Sequence, residues 1–233
     1  MRAPAPPHEI YRTHMADAKI RIVAAEKIVE CKKPVTGYAA LDMEFCFLQI
    51  RRVIEAVTFG AMVREESRYV ALRNIEGSTN PRDHGDATRD WQAPEILKRL
   101  VSLSPHALPI PHKPGKKLLD GHIHFDRQNV EVNHSRLIDI YTRAGGFLHA
   151  KNPIGQDFAA LVAAQRSKYV AAPSDIRRTL KFLRQLLWQH AAITLETAGQ
   201  HDPRTPASPT SAWLVNFGSN EALEVGITIA EAV

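Results

Sequence analysis

The chain has 233 residues, a formal charge of +5 and 44% hydrophobic residues. That apolar content supports a packed core and excludes an intrinsically disordered chain. Its only cysteines, Cys31 and Cys46, sit in no CxxC or Cys/His cluster, which excludes a disulfide scaffold and a zinc finger.

The mild positive charge admits an anionic partner such as nucleic acid without requiring one. Both cysteines fall in amphipathic stretches and read as buried free thiols, which fits a reducing compartment. The first seven residues are proline-rich and lack the apolar segment of a signal peptide. The longest apolar stretch, 41–63, is interrupted by Glu44, Arg51, Arg52 and Glu55, whose charges are costly in lipid. A cytoplasmic protein with no membrane partner is expected.

Residues 1–15 read as a flexible tail, with Pro4, Pro6 and Pro7 opposing regular structure. Ile20, Val23, Ile28 and Cys31 fit one helical stripe, although residues 19–23 also fit a strand. Pro34 and Gly37 mark a turn. The clearest element follows: Met43, Phe47, Ile50, Ile54, Val57 and Ala61 recur at helical steps, with Asp42 near the positive end of the helix dipole. Arg51 and Glu55 lie on the other side, four apart, as a surface ion pair. A second helix is predicted over 65–75, then a loop over 77–90 and a short helix over 91–103.

Four prolines between 105 and 114 predict an extended connection. Residues 122–125 and 130–132 are expected to pair as a small hairpin. Helix resumes at Ser135, with Leu137, Tyr141, Ala144 and Leu148 as one stripe, and ends at Asn152-Pro153. A helix is expected over 158–169. A separate one, capped by Ser174, has the core face Ile176, Leu180, Leu183, Leu187 and Ala191. Residues 200–210 read as a linker, and 213–217 with 225–229 as a hairpin turning at 218–220. The expected fold is mainly α: a helical bundle with a small β-hairpin appendage at the C-terminus. Residues 16–200 form the helical domain, with a loop and β insertion near 104–133, and 201–233 form the linker and hairpin.

Three constellations carry chemistry. In Asp120-Gly121-His122-Ile123-His124, alternation on a strand aims both imidazoles at one face, in a pattern that resembles the metal-binding motif of the amidohydrolases. The helical surroundings lack that family's βα alternation, so exposed histidines on a hairpin are expected, with no metal and no cofactor. The second constellation is Arg143-Ala-Gly-Gly-Phe-Leu-His149, followed by Lys151 and Asn152. Two glycines inside a helix each cost on the order of 1 kcal/mol against alanine, so close packing or a bend must offset them. A permanent cation and a titratable imidazole suit phosphodiester chemistry. The histidine exchanges protons and the arginine steadies the charged phosphorane. Six residues rotate a regular helix by roughly 240°, so the pair needs a bend or a second copy of the motif to converge. A structural alternative pairs Asp139 with Arg143 and caps the helix with His149 and Asn152. The third is a basic stripe of Arg177, Lys181 and Arg184 running to Trp188, suited to a phosphate backbone and a stacked base. Its alternative is a solvated face whose tryptophan packs under the hairpin.

The spacing of Arg143 and His149 resembles the Arg-x(4–6)-His motif of the HEPN (higher eukaryotes and prokaryotes nucleotide-binding) superfamily. The helix Leu41-Asp-Met-Glu-Phe-Cys-Phe-Leu-Gln-Ile-Arg-Arg-Val-Ile-Glu55 is similar to the long opening helices of those bundles. With Gly-x-Leu-His-x-x-Asn-Pro, it also resembles a group of uncharacterised bacterial proteins. Ala144 and the double glycine depart from the usual HEPN motif. The resemblance implies an RNA-binding protein or metal-independent ribonuclease, in a bacterial defence or toxin–antitoxin setting. It would be a homodimer with Arg143 and His149 as catalytic residues. Glu44 or Glu55 would assist, with Lys151 and Asn152 in support. The alternative is a non-catalytic subunit or adaptor that binds a protein or nucleic-acid partner.

Overall fold

The computed structural model describes residues 5–79, 85–119, 123–149, 152, 154, 157–195, 202–205 and 208–231. The fold is mainly α, with six α-helices among these residues and a small antiparallel sheet on the C-terminal side. No described helix is long and apolar enough to cross a membrane.

Helix α1 (Pro7–Glu30) begins where the sequence reads as a tail. Pro6 and Pro7 start the helix instead of opposing it: Pro6 is its N-cap, and Pro7 takes a first-turn position, where no amide partner is needed and its fixed φ already suits the helix. Residues 19–23 lie within this helix, so the strand alternative falls, but the buried face is Tyr11, Met15, Ala18, Ile22, Ala25 and Val29 and not the expected stripe, since Ile20 and Cys31 are exposed. Cys31 lies just past the end; only Cys46 is a buried thiol, and burial pushes its pKa up to about 12.

Helix α2 (Ala39–Arg64) buries the stripe read from the sequence. Asp42 fixes the turn before it. Its carboxylate accepts from the Thr36 hydroxyl (2.7 Å) and from the Val35 and Thr36 amides (2.7 and 3.0 Å), and those bonds lower its pKa. The two helices run antiparallel. The Cys46 thiol meets the Ala25 carbonyl, Arg21 donates to Gln49, and the Tyr11 ring lies against Gly60, where a Cβ would sit 3.1 Å from it.

Helices α3 (Glu66–Thr79) and α4 (Ala93–Leu103) close a smaller cluster around Tyr69, Leu72, Ile96 and Leu100. Two buried arginines serve it. Arg73 pairs with Asp90 at 2.7 Å, and Arg68 donates to the Leu103 and Pro203 carbonyls, each at 2.7 Å.

The expected hairpin of 122–125 with 130–132 does not form. Strand β3 (Ile123–His124) pairs instead with β2 (Lys116–Lys117), because Val130 and Val132 are drawn against the main core. Helix α5 (His134–Leu148) is capped by Asn133, whose Oδ1 accepts from the Arg136 amide at 2.7 Å. Helix α6 (Phe158–Leu187) is one element where two are predicted. Pro173 sits inside it. The proline removes one helix hydrogen bond, while Ala172, Ile176, Leu180 and Leu183 bury a stripe that continues past it.

The predicted helix face to Ala191 is also corrected, since α6 stops at Leu187. Strand β4 (Gln189–Leu195) follows and pairs with β1 (Ile110–Pro111) on one side and β5 (Pro209–Asn216) on the other. Strand β6 (Gly226–Glu231) completes the order β1-β4-β5-β6, after a turn through Gly218 at φ 62. Trp213, Val215 and Phe217 lay the sheet on the helical core. Two polar ties fix it there. Lys19 of α1 donates to the Phe217 and Glu224 carbonyls, and the Tyr11 hydroxyl bonds His190 Nε2 at 2.8 Å.

Ile54 is fully buried, so Ile54→Asp should cost several kcal/mol, about 3 or more, by placing an unpaired charge in the core. A melting curve equal to the parent's would overturn the core assignment. His190 gives a pH signature. Burial, above all, lowers its pKa from 6.5 to about 4. Between those values the unfolded chain binds the extra proton, so stability is full above 6.5 and is lost as pH falls toward 4, by about 3 kcal/mol. Denaturant titrations across this window should show that loss in the parent and a flatter profile in His190→Gln.

Candidate functional site

Arg143 and His149 do not converge. Helix α5 runs through Gly145 and Gly146 without a break, and neither cavity that His149 lines has Arg143 in its wall. Arg143 turns to α6, where its Nε meets Asp175 Oδ2 at 3.1 Å. The pairing with Asp139 is therefore not made. His149 ends α5 in an extended conformation (φ −117, ψ 131) and is exposed.

The surroundings of His149 are a cleft between α2, α4 and α5, lined by Arg51, Pro94, Tyr141, Gly145, His149 and Asn152, with a volume of about 460 Å³. Arg51 comes from α2. Its guanidinium lies 4.1 Å over the Tyr141 ring, and Glu55 joins the two, accepting from the Tyr141 hydroxyl at 3.2 Å and from Arg51 Nε at 3.4 Å. The Arg51–Glu55 pair is thus a half-buried wall of the cleft and not a solvated surface pair. Burial raises the Tyr141 pKa, so its hydroxyl stays protonated and donates to Glu55.

A second cavity of about 280 Å³ lies on the α6 side of the same helix end and shares Gly146 and His149 with the first. Lys168 reaches across it, 3.8 Å over the Phe147 ring, and donates to the Gly146 carbonyl at 2.5 Å. The Tyr169 hydroxyl donates to Glu44, and burial followed by that carboxylate pushes its pKa up to about 12. Phe147 in turn stacks on Phe47 of α2 at 3.8 Å.

The two glycines lie directly beneath these cations, and only Gly145 has a neighbour tighter than ordinary contact. A Cβ on Gly145 would lie 3.0 Å from Arg51 Nη1, and one on Gly146 would lie 3.4 Å from Lys168 Nζ. The missing side chains let one cation approach each flank of α5 beside His149. Glu44 and Glu55, both anticipated as supporting carboxylates, stand behind the two cavities. Asn152 lines the first cleft, where its Oδ1 also accepts from the Ile154 amide at 3.0 Å. Lys151 lies outside the described residues. Arg51, Tyr141, Lys168 and Tyr169 are the site residues that the sequence reading does not single out.

The basic stripe is largely engaged in the fold. Arg177 donates to the Val29 carbonyl at 2.9 Å, and Arg184 forms a fork on Glu26 at 2.9 Å with a further bond to Asn220. Trp188 donates to the Gly218 carbonyl at 2.9 Å and packs between Arg184 and Phe217, beneath the β5–β6 turn. Lys181 is exposed on a shallow α1–α6 groove that also carries Glu26 and Glu30. Mixed charge there weakens its attraction for a phosphate backbone.

Asp120, Gly121 and His122 lie outside the described residues, and His124 is exposed and 3.2 Å from Asp126. Among the described residues no three His, Cys, Asp or Glu side chains come together as a metal site would require. No family model matches the chain, and no curated protein or solved structure does either.

Gly145→Ala separates the roles of this glycine. Its helix-propensity gain of about 1 kcal/mol should offset the disturbance of Arg51, leaving the melting temperature close to the parent's. The added methyl should nonetheless move the guanidinium off Tyr141. Nuclear magnetic resonance of the arginine side chains would show a shifted Arg51 Nε signal, and an unmoved signal would deny the close approach.

Proposed function

We propose that the chain is a HEPN-like RNA-binding protein that cleaves RNA at the end of α5, with Arg51 in the place assigned to Arg143 from the sequence. The carrying observation is that exposed His149 shares a cleft with Arg51 and Tyr141, while Arg143 is engaged by Asp175. In this reading a backbone phosphate enters between the Arg51 guanidinium and the His149 imidazole. His149 takes the proton from the ribose 2′-hydroxyl, the resulting oxygen attacks phosphorus, and the bond to the 5′-oxygen of the next nucleotide breaks as that oxygen takes a proton from solvent water. The product is a 2′,3′-cyclic phosphate, and the charge of the phosphorane falls on Arg51. Glu55 orients Arg51, and Lys168 offsets the negative end of the helix dipole, which otherwise repels an anion at this position. Such an activity suits a bacterial defence or toxin–antitoxin role in the cytoplasm.

A non-catalytic subunit or adaptor is the second reading. One observation favours it: Arg143, Arg177 and Arg184, three of the arginines expected to meet nucleic acid, have partners inside the fold.

The test compares RNA cleavage, in the presence of a chelator, by the parent and by His149→Ala, Arg51→Ala and Arg143→Ala variants of equal melting temperature. Loss of about 100-fold or more in the first two, with Arg143→Ala near the parent, is the expected pattern. Loss in Arg143→Ala with Arg51→Ala active would return the site to Arg143. Binding without cleavage would select the adaptor, and neither binding nor cleavage would end the RNA reading.

A further inference from the structure

The two edges of the sheet are built differently. On one edge, β1 is only two residues long and ends in Pro111, which has no amide to donate. On the other, β6 runs for six residues, Gly226-Ile-Thr-Ile-Ala-Glu231, with no proline and no lysine. Its ladder to β5 covers one side of that strand from Gly226 to Glu231. Along its other side no backbone hydrogen bond is made within the described residues. A strand of this length leaves alternate amides and carbonyls open to another strand.

Side chains sharpen the case. Ile227 and Ile229 lie on the core-facing side with Val215 and Trp213 opposite them on β5. Ile229 remains 53% exposed, at the open margin of the sheet. Thr228 and Ala230 lie on the other face. An antiparallel strand added here must therefore carry apolar, β-branched residues at alternate positions to cover the isoleucines.

We propose that β6 is a homodimerisation edge, which pairs antiparallel with β6 of a second copy about a two-fold axis at Thr228. This register matches the strand to itself. Ile227 of each copy stands opposite Ile229 of the other, Thr228 opposite Thr228, and Gly226 opposite Ala230. Two β-branched pairs form on the core-facing side. Parity is also kept, since opposed residues belong to the same face of both sheets. The result is a continuous eight-stranded sheet, β1-β4-β5-β6-β6-β5-β4-β1, in which the open edge is closed and the interface is isologous. The helix-end cleft at His149 takes no part, so this inference stands or falls independently of the RNA reading.

Sedimentation velocity of the 233-residue chain over a concentration series tests it, with Ile229→Lys and Thr228→Pro as variants. The expected result is a parent dimer and folded variant monomers, with a dissociation constant raised about tenfold or more. Hydrogen exchange should also show β6 amides whose protection rises with protein concentration. Should Thr228→Pro fail to fold, Ile229→Lys decides alone. A parent that stays monomeric at its highest soluble concentration overturns the proposal, as does a dimer that Ile229→Lys leaves intact.

Discussion

The fold depends on one contact between α1, α2 and the sheet. Tyr11 presses its ring on Gly60 and gives its hydroxyl to His190 at the start of β4. A Cβ at position 60 would sit 3.1 Å from that ring and require it to give way by a few tenths of an ångström. A charged His190 would lose the acceptor that Tyr11 needs. With Nδ1 donating to the Leu187 carbonyl, the neutral ring keeps Nε2 as that acceptor, so tautomer and fold are coupled. Lys19 repeats the tie two turns later with the Phe217 and Glu224 carbonyls. Once α1 is fixed on both sides, α2 becomes the central helix, and α5 and α6 are placed against it.

That placement explains why two cations and two tyrosines gather beside His149 at the end of α5. The antiparallel run of α5 on α2 brings Tyr141 to Glu55 and Phe147 to Phe47. Arg51 lies between these two contacts, at the level of Gly145. On the far side α6 continues past Pro173 without a break, which carries Lys168 and Tyr169 to the other flank. A break at Ser174 would have removed both. The site is therefore a product of three helices. Its two cations arrive from α2 and α6, and α5 supplies the histidine and the gaps that admit them.

Much of the helical frame is legible in the sequence because it is local. The Met43–Ala61 stripe, the glycines of α5 and the paired strands near the C-terminus each carry their signal within a few turns. The errors also have local causes. Pro7 reads as opposing regular structure and Ser174 as the cap of a separate helix, yet Pro7 occupies a first-turn position and Pro173 lies in a stripe long enough to outweigh one lost hydrogen bond. Strand β4 was hidden because Leu187 and Ala191 keep a helical spacing across the true end of α6. What makes Arg51 a site residue is tertiary: it meets Tyr141 from 90 positions away, and nothing near either residue signals it. Arg143 shows the converse. Its spacing from His149 fits a motif, but Asp175, beyond the next helix start, claims the side chain.

The distribution of arginines decides which surface is left for an anion. Arg68 and Arg73 hold carbonyls and carboxylates in the smaller cluster, Arg177 and Arg184 bind α1 to α6, and Arg143 is paired with Asp175. The total of 30 lysines and arginines thus overstates the cations open to an anion, because several of the arginines work inside the fold. Arg51 differs in its partners. It shares Glu55 with Arg52, whose Nη1 lies 2.9 Å from the same carboxylate, so one anion is divided between two cations. Its remaining support is the face of Tyr141, which leaves part of the guanidinium's donor capacity unused by the carboxylate. Beside it, His149 is held by the helix end and is exposed to solvent. An incoming phosphate would complete the charge balance at Arg51 and meet a titratable group in the same cleft, a combination that the α1–α6 groove, with Glu26 and Glu30 on its walls, does not offer.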